Sequence, residues 1–186
     1  MIEENGNIEQ SGEQFSGKIS AKKKSNHVLL TDRDLNLMIL LHEHVVLSFS
    51  QIHERFFTNR TFATAMNRLK RLQSQGWIER IRVPRMRLEG RKNATGVVFQ
   101  LSIKGRTIIN KCRPEMDVFE RCPVLNLYQL DHDLLIADIA DCFKEQFQDC
   151  RWVNGRYLGD AKGFGKIPDA VLQKPGSDKV IAIELE

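Results

Sequence analysis

The chain has 186 residues, of which 41% are hydrophobic and 28% are charged, so it can form one medium domain or two small ones. No apolar run approaches the roughly 20 residues that span a bilayer, and the acidic N-terminus lacks the apolar segment of a secretory signal. These features argue against membrane insertion and secretion, and we expect a cytoplasmic protein.

The net charge of +4 is unevenly distributed along the chain. Residues 51–106 contain 13 Lys or Arg and 3 Asp or Glu, whereas residues 113–186 contain 9 and 14. A solvated surface usually mixes the two signs. The segregation therefore predicts a basic half that meets a polyanion and an acidic half with another role.

The element pattern divides the chain into four segments. Residues 1–27 are polar with isolated apolar positions, and we expect a disordered tail there. The basic half is predicted to form one domain over residues 28–112. A segment with two prolines and mixed charge, residues 113–128, reads as a linker, and residues 129–186 form the second domain.

Three helices and a two-stranded ribbon are predicted in the first domain. Thr31 begins the first helix because Thr-Asp-Arg-Asp places a capping residue three positions before an acid. Ser48 begins the second helix, and apolar spacing predicts the third over 61–75. Residues 77–83 and 96–101 are predicted strands joined by a basic loop.

This order of elements resembles the winged helix-turn-helix, in which the third helix enters the major groove of DNA. The resemblance implies DNA contacts by the polar face of that helix and by the basic wing loop. The predicted DNA-binding residues are Arg60, Thr61, Thr64, Asn67, Arg68, Arg71, Arg85, Arg87, Arg91 and Lys92. Arg favours guanine and Asn favours adenine through paired hydrogen bonds. The alternative is a protein-binding winged helix whose basic face is merely solvated.

Carboxylates follow two predicted strands of the second domain. The strands are 167–172 and 180–185, and Pro-Gly-Ser-Asp between them is typical of a hairpin. Glu184 and Glu186 share a face, and a hairpin would bring Asp169 beside them. Three carboxylates at one place would hold Mg²⁺ or Mn²⁺, which prefer oxygen ligands. The alternative is a solvated strand end.

Pro168-Asp169 followed by Glu184-Leu185-Glu186 resembles the PD-(D/E)XK nuclease core, in the variant where Glu replaces the motif lysine. Asp131-His132-Asp133 opens a helix that matches the first helix of that core. The implied fold class is α+β: a winged helix-turn-helix followed by a partial restriction-endonuclease-like α/β domain. Because the chain stops within an apparent strand, we expect that domain to be truncated and its site to be incomplete.

The whole arrangement resembles the MobC-type relaxases of mobilisable plasmids and the broader replication-relaxation proteins. This resemblance implies metal-dependent nicking of one DNA strand at a plasmid transfer origin. Asp169, Glu184 and Glu186 would be the catalytic metal ligands, and His132 would act as a base or contact the scissile phosphate. An ordinary helix-start histidine is equally compatible with His132. Many relaxases use a tyrosine nucleophile; Tyr157 could approach the site from the glycine-rich segment, although an ordinary loop aromatic is the favoured interpretation, and Tyr128 is expected to pack.

Two other functions remain open at this point. The protein could be a non-enzymatic winged-helix regulator of plasmid replication or transcription. It could also be a DNA-binding accessory that recruits a separate mobilisation or coupling protein. All three readings require binding to double-stranded DNA.

Overall fold

The structure of the protein is a computed structural model that describes residues 28–84, 96–116, 123–158, 166–177 and 179–185. The predicted tail and most of the predicted wing loop lie outside these residues, as do parts of the linker and of the glycine-rich segment. Among the described residues, no helix is both long enough and apolar enough to cross a membrane.

The first half has the element order of a winged helix, which confirms that prediction. In chain order the elements are α1 Asp32–His44, β1 Val46–Ser48, α2 Phe49–Phe56, α3 Phe62–Ser74, β2 Ile78–Arg82, β3 Val97–Leu101 and α4 Ile103–Cys112. The sheet is antiparallel with the order β1-β3-β2. Strand β1 was not predicted, because three buried residues give no alternation to read.

The helix starts follow from local chemistry. Thr31 and Ser48 each form a capping box, with Asp34 and Gln51 as the reciprocal partners. Gly76 ends the α3 region with φ +72°, a conformation that glycine adopts without cost. The apolar faces of α1, α2 and α3 meet the sheet in one core.

The second half is one helix followed by an antiparallel three-stranded meander. Its elements are α5 Leu130–Gln146, β4 Arg151–Asn154, β5 Ala170–Gln173 and β6 Val180–Ile183, in the order β4-β5-β6. Short 3-10 turns at Leu127–Gln129 and Gly155–Tyr157 precede α5 and follow β4. The nuclease assignment goes beyond this arrangement and stays a prediction.

Helix α5 packs against both halves. Leu130 and Leu134 join Val46, Val83 and Val98 of the winged helix in one cluster. On its other side α5 contributes to a separate cluster with the second sheet, made of Ile136, Ala140, Trp152, Ala170, Leu172 and Ile183. The two predicted domains therefore share a helix, which links the winged-helix half to the acidic half.

Polar contacts reinforce the seam between α5 and the winged helix. Gln51 of α2 donates to the Leu134 carbonyl (2.8 Å) and to Asp138 (2.6 Å). Arg55, one turn later, is paired with Asp141 at 2.5 Å. Arg55 also donates to the Ala137 carbonyl at 3.2 Å. Because these bonds reach main-chain carbonyls as well as side chains, they fix the position of α5 along α2.

Candidate nucleic-acid interface and acidic site

The exposed face of α3 is polar and basic. Thr64, Asn67 and Arg71 are exposed on it, together with Lys70, and Arg60 and Thr61 are exposed just before it. No acidic residue occurs in the helix. Thr61 also caps α3, since its hydroxyl accepts a hydrogen bond from the Thr64 amide at 3.2 Å. Its hydroxyl therefore stabilises the helix as well as lying on the predicted interface.

Arg68 is a correction to the predicted DNA contacts. Its side chain is only 17% exposed and forms a two-pronged ion pair with Asp34 of α1, whose side chain is fully buried. Its Nε lies 2.9 Å from the Asp34 carboxylate, and its terminal nitrogen also donates to the Leu29 carbonyl at 2.8 Å. The guanidinium therefore ties α3 to the start of α1 and is largely enclosed there.

The Asp34 carboxyl is held ionised by this pair. Burial alone would raise its pKa, but hydrogen bonds from Arg68 and Thr31 outweigh burial and lower the pKa below its ordinary value. Thr31 donates both its amide (2.9 Å) and its hydroxyl (2.5 Å) to Asp34. One carboxylate thus joins the α1 cap to α3.

Phe62 also differs from expectation. Helical spacing predicts an inward side chain, yet Phe62 is 48% exposed. It lies at the first position of α3, where its ring meets Phe49 and His53 of α2. The four predicted wing residues Arg85, Arg87, Arg91 and Lys92 lie outside the described residues.

In the acidic half, the structure brings His132 and Asp169 together. His132 lies in the first turn of α5, and its Nε2 is 3.1 Å from the Asp169 carboxylate, while its Nδ1 is 3.9 Å from Asp133. Asp169 immediately precedes β5, and its other oxygen accepts from the Leu185 amide at 2.8 Å. His132 and Asp169 line one open cavity of ≈ 260 Å³ between α5 and the strand ends.

Arg156 is a residue of this cavity that sequence reasoning missed. It donates to both oxygens of Asp133, at 3.3 and 2.8 Å, and to the Gln129 side chain at 2.8 Å. Asp133 is buried, and burial raises its pKa, although the charges of Arg156 and His132 oppose the rise. A lone arginine after a strand gives no sequence signal, because its partner lies 23 residues earlier.

Glu184 takes a different environment from Asp169. The pairing of Ala170 with Ile183 places Asp169 opposite Glu184 one residue further along. Ile183 and Leu185 pack on the α5 side of the sheet, so alternation directs Glu184 to the other side. There its carboxylate pairs with Lys166 at 2.7 Å.

The predicted metal site is not assembled by the residues that the structure describes. Asp169 is engaged by His132 and the Leu185 amide, and Glu184 is engaged by Lys166. Among the described residues, no three His, Cys, Asp or Glu side chains form a group suited to a metal ion. Glu186 lies outside those residues. The described donor set does not fit Mg²⁺ or Mn²⁺, and metal binding stays a prediction.

The two tyrosines lie in different environments. Tyr157 donates its hydroxyl to the His42 carbonyl of α1, and the two rings lie 5.2 Å apart. It therefore binds the winged helix and does not line the His132–Asp169 cavity. Tyr128 was expected to pack, but it is 86% exposed.

A family model described as Replication-relaxation matches residues 38–185, which covers both halves and the shared helix. The chain belongs to the replication-relaxation family. Family membership confirms that part of the predicted resemblance, whereas the MobC-type nuclease assignment is a finer statement.

Solved structures similar to this replication-relaxation protein include the Multiple Antibiotic Resistance Repressor MarR, at 18% identity and a TM-score of 0.36. That match covers 64% of this chain and 75% of MarR. A ZitR mutant from Lactococcus lactis in complex with DNA is 21% identical with a TM-score of 0.34, covering 69% of this chain and 82% of ZitR. No curated protein sequence gives a significant match.

Proposed function

We propose that this replication-relaxation protein binds double-stranded DNA in plasmid replication or mobilisation, with the exposed face of α3 in the major groove. The observation that carries the proposal is that face: it displays hydroxyl, amide and cationic groups and contains no carboxylate. Duplex DNA carries about one charge per 1.7 Å, so cationic groups at this surface gain affinity by releasing counterions.

The structure favours DNA over a protein partner as the ligand of this face. Lys70 and Arg71 on it are both exposed, and protein–protein interface cores are depleted in lysine. The amide of Asn67 suits the paired donor and acceptor of adenine. A protein-binding winged helix would need an apolar core at the same place, which the middle of α3 does not offer.

Binding is tested by fluorescence anisotropy with a duplex from the transfer origin of a related plasmid and with an unrelated duplex. Asn67→Ala is expected to weaken origin binding about 5- to 150-fold, equal to about 1–3 kcal/mol for one paired base contact, with little effect on the unrelated duplex. Gln146→Ala, an exposed amide at the end of α5, is the control. Equal affinity of both variants for both duplexes would reject the assigned face.

The acidic half supports a second, finer proposal, that the protein nicks one DNA strand at the transfer origin. The His132–Asp169 pair opens into a cavity, and a histidine beside carboxylates can accept or deliver a proton. Asp169 would orient the imidazole, and Arg156 would hold the neighbouring Asp133 away from the ring. The shared helix α5 joins this pair to the DNA-binding half.

Nicking is tested by incubating full-length protein with supercoiled, origin-bearing plasmid in Mg²⁺, Mn²⁺ or EDTA and measuring open circles. We expect His132→Ala and Asp169→Ala to abolish nicking, and Asp149→Ala, an exposed carboxylate after α5, to leave it unchanged. Glu184→Ala reports whether the Lys166-paired carboxylate takes part. Nicking by both the His132→Ala and the Asp169→Ala variants would show that this pair is not the catalytic site.

Absence of nicking by wild-type protein under all three conditions would favour the non-enzymatic alternatives. In that case the protein would regulate plasmid replication or transcription, or would recruit a separate mobilisation or coupling protein to the origin. Both alternatives keep the DNA-binding proposal, so the two experiments are independent.

A further inference from the structure

The first turn of α3 carries an apolar surface that charge neutralisation does not explain. Phe62 is 48% exposed, and Ala63 beside it is exposed as well. Both precede Asn67 on the helix that carries the basic face. The N-terminal residues of a helix that enters the major groove are the ones that meet base edges, and Phe62 is the first residue of α3.

The Phe62 ring is held in place by α2. It meets His53 edge-on at 4.3 Å and Phe49 edge-on at 5.7 Å between ring centroids. The His53 ring in turn lies 2.9 Å from the Arg60 carbonyl, which fixes the turn that leads into α3. Because the ring is already ordered by these contacts, little side-chain entropy is lost when it meets a ligand.

The major groove offers apolar groups at one kind of base pair. An A·T pair displays the C5 methyl of thymine together with the N6 and N7 groups of adenine, whereas a G·C pair displays no methyl. Apolar side chains contact that methyl, and asparagine pairs with adenine. The first two turns of α3 carry both kinds of group, since Ala63 and Asn67 lie four positions apart and Phe62 begins the helix.

We propose that Phe62 and Ala63 contact thymine methyl groups while Asn67 reads adenine, so that this protein selects A·T pairs at the centre of its site. The inference rests on the proposed DNA-binding function and names the bases that it reads. Arg68, one of the arginines predicted to contact DNA, is instead paired with Asp34. Lys70 and Arg71 then remain on the helix to hold phosphates.

The test uses wild-type protein and modified DNA. Duplexes that bind are selected from a random pool at physiological salt, and each thymine of the selected site is replaced in turn by deoxyuridine, which pairs identically but lacks the methyl. We expect affinity to fall about 4-fold for each contacted methyl, the value for burial of one such group. Equal affinity of thymine and deoxyuridine duplexes overturns the inference.

Variants then assign the effect to Phe62. Phe62→Ala is expected to reduce the difference between thymine and deoxyuridine duplexes to the part that Ala63 supplies, and Phe62→Leu to keep more of it. Ile103→Ala removes an apolar side chain that is 74% exposed on α4 and should keep the full difference. A thymine preference that survives Phe62→Ala and Phe62→Leu unchanged would overturn the assignment to this ring. Failure of wild-type protein to bind any duplex would reject the proposed function together with the inference.

Discussion

Replacing Arg68 by alanine separates a structural role from DNA recognition. In wild-type protein the guanidinium neutralises Asp34, whose side chain is fully buried. The Arg68→Ala change would leave that carboxylate charged, buried and without its cation. Removal of one partner from a buried ion pair typically costs about 3–5 kcal/mol.

The expected loss lies near the lower end of that range. Thr31 still donates two hydrogen bonds to the Asp34 carboxylate after the substitution. We therefore expect the free energy of unfolding to fall by about 3 kcal/mol, which lowers Tm by roughly 6–12 °C for a chain of this size. Thermal and urea unfolding followed by circular dichroism measure the change directly.

The stability lost in Arg68→Ala is expected to depend on pH. The pKa of Asp34 is lowered in the folded wild-type protein, so its contribution is present above the unfolded pKa of about 3.9 and is lost as pH falls through the folded pKa. In Arg68→Ala the burial that raises this pKa is unopposed by the guanidinium. The stability difference between variant and wild type should therefore be full at neutral pH and shrink as pH falls, first through the folded-state pKa of Asp34 in the variant and then through the lower one in wild type.

Arg71→Ala is the matched control, because Arg71 is exposed on the same helix. It should change stability by less than about 0.5 kcal/mol but weaken DNA binding, whereas folded Arg68→Ala should bind DNA with an unchanged salt slope. The reasoning is refuted if Arg68→Ala unfolds like wild type and loses DNA affinity. That result would show that Arg68 contacts DNA.

Three further predictions concern the junction and the acidic site. His44 is fully buried without a side-chain hydrogen bond, and burial lowers its pKa well below 6.5, with Lys144 and Arg55 adding to the effect. The unfolded state takes up the proton first as pH falls, so stability should decline below about pH 6.5, and His44→Leu should flatten urea midpoints between pH 7.5 and 5.5. A slope that His44→Leu leaves unchanged would contradict this origin. Gly155→Ala would place its Cβ 1.9 Å from the Pro168 carbonyl, so we expect lower Tm and faster hydrogen exchange in β5, and a wild-type Tm would argue against this close approach. Arg55→Ala should cost about 1.5–3 kcal/mol by removing the hydrogen bonds to Asp141 and the Ala137 carbonyl, measured by urea unfolding, and no loss would show that these Arg55 contacts do not hold α5.

The local features of the winged helix could be predicted from the sequence. The capping residues Thr31 and Ser48 act on amides three positions away, and the Gly76 conformation is a single-residue property. The interacting groups lie within one helical turn of each other, so the sequence alone identifies both partners. The pairing of β5 with β6 also follows from local hairpin chemistry, because a short turn joins them.

The roles of single charged side chains could not be predicted, because their partners lie far along the chain. Arg68 pairs with Asp34, 34 residues earlier, and Arg156 pairs with Asp133, 23 residues earlier. The α5 helix was assigned to the acidic half, yet Leu134 contributes to a cluster with the winged-helix sheet. Periodicity shows that a face is apolar but not which partner covers it.

The predicted carboxylate cluster depended on the direction of the Asp169 side chain, which the sequence pattern does not give. The register puts Asp169 opposite Glu184, as a hairpin requires, but Asp169 leaves the regular strand and turns to His132 of α5. The alternation of side chains along a strand does not predict a bend at the residue where the strand begins. The sequence pattern therefore located the two strands to within three residues at each end and misjudged which groups meet.

The salt dependence of DNA binding tests the central claim most directly. Lys70→Ala/Arg71→Ala removes two charges from the exposed face of α3, and Lys174→Ala/Lys179→Ala removes two exposed charges from the distant β5–β6 hairpin. With affinity measured between 50 and 200 mM salt, the account predicts that the slope of log K against log salt becomes less steep by about 2 for the α3 variant and is unchanged for the hairpin variant. Equal slopes for the α3 variant and wild type, or a larger change for the hairpin variant, would contradict it.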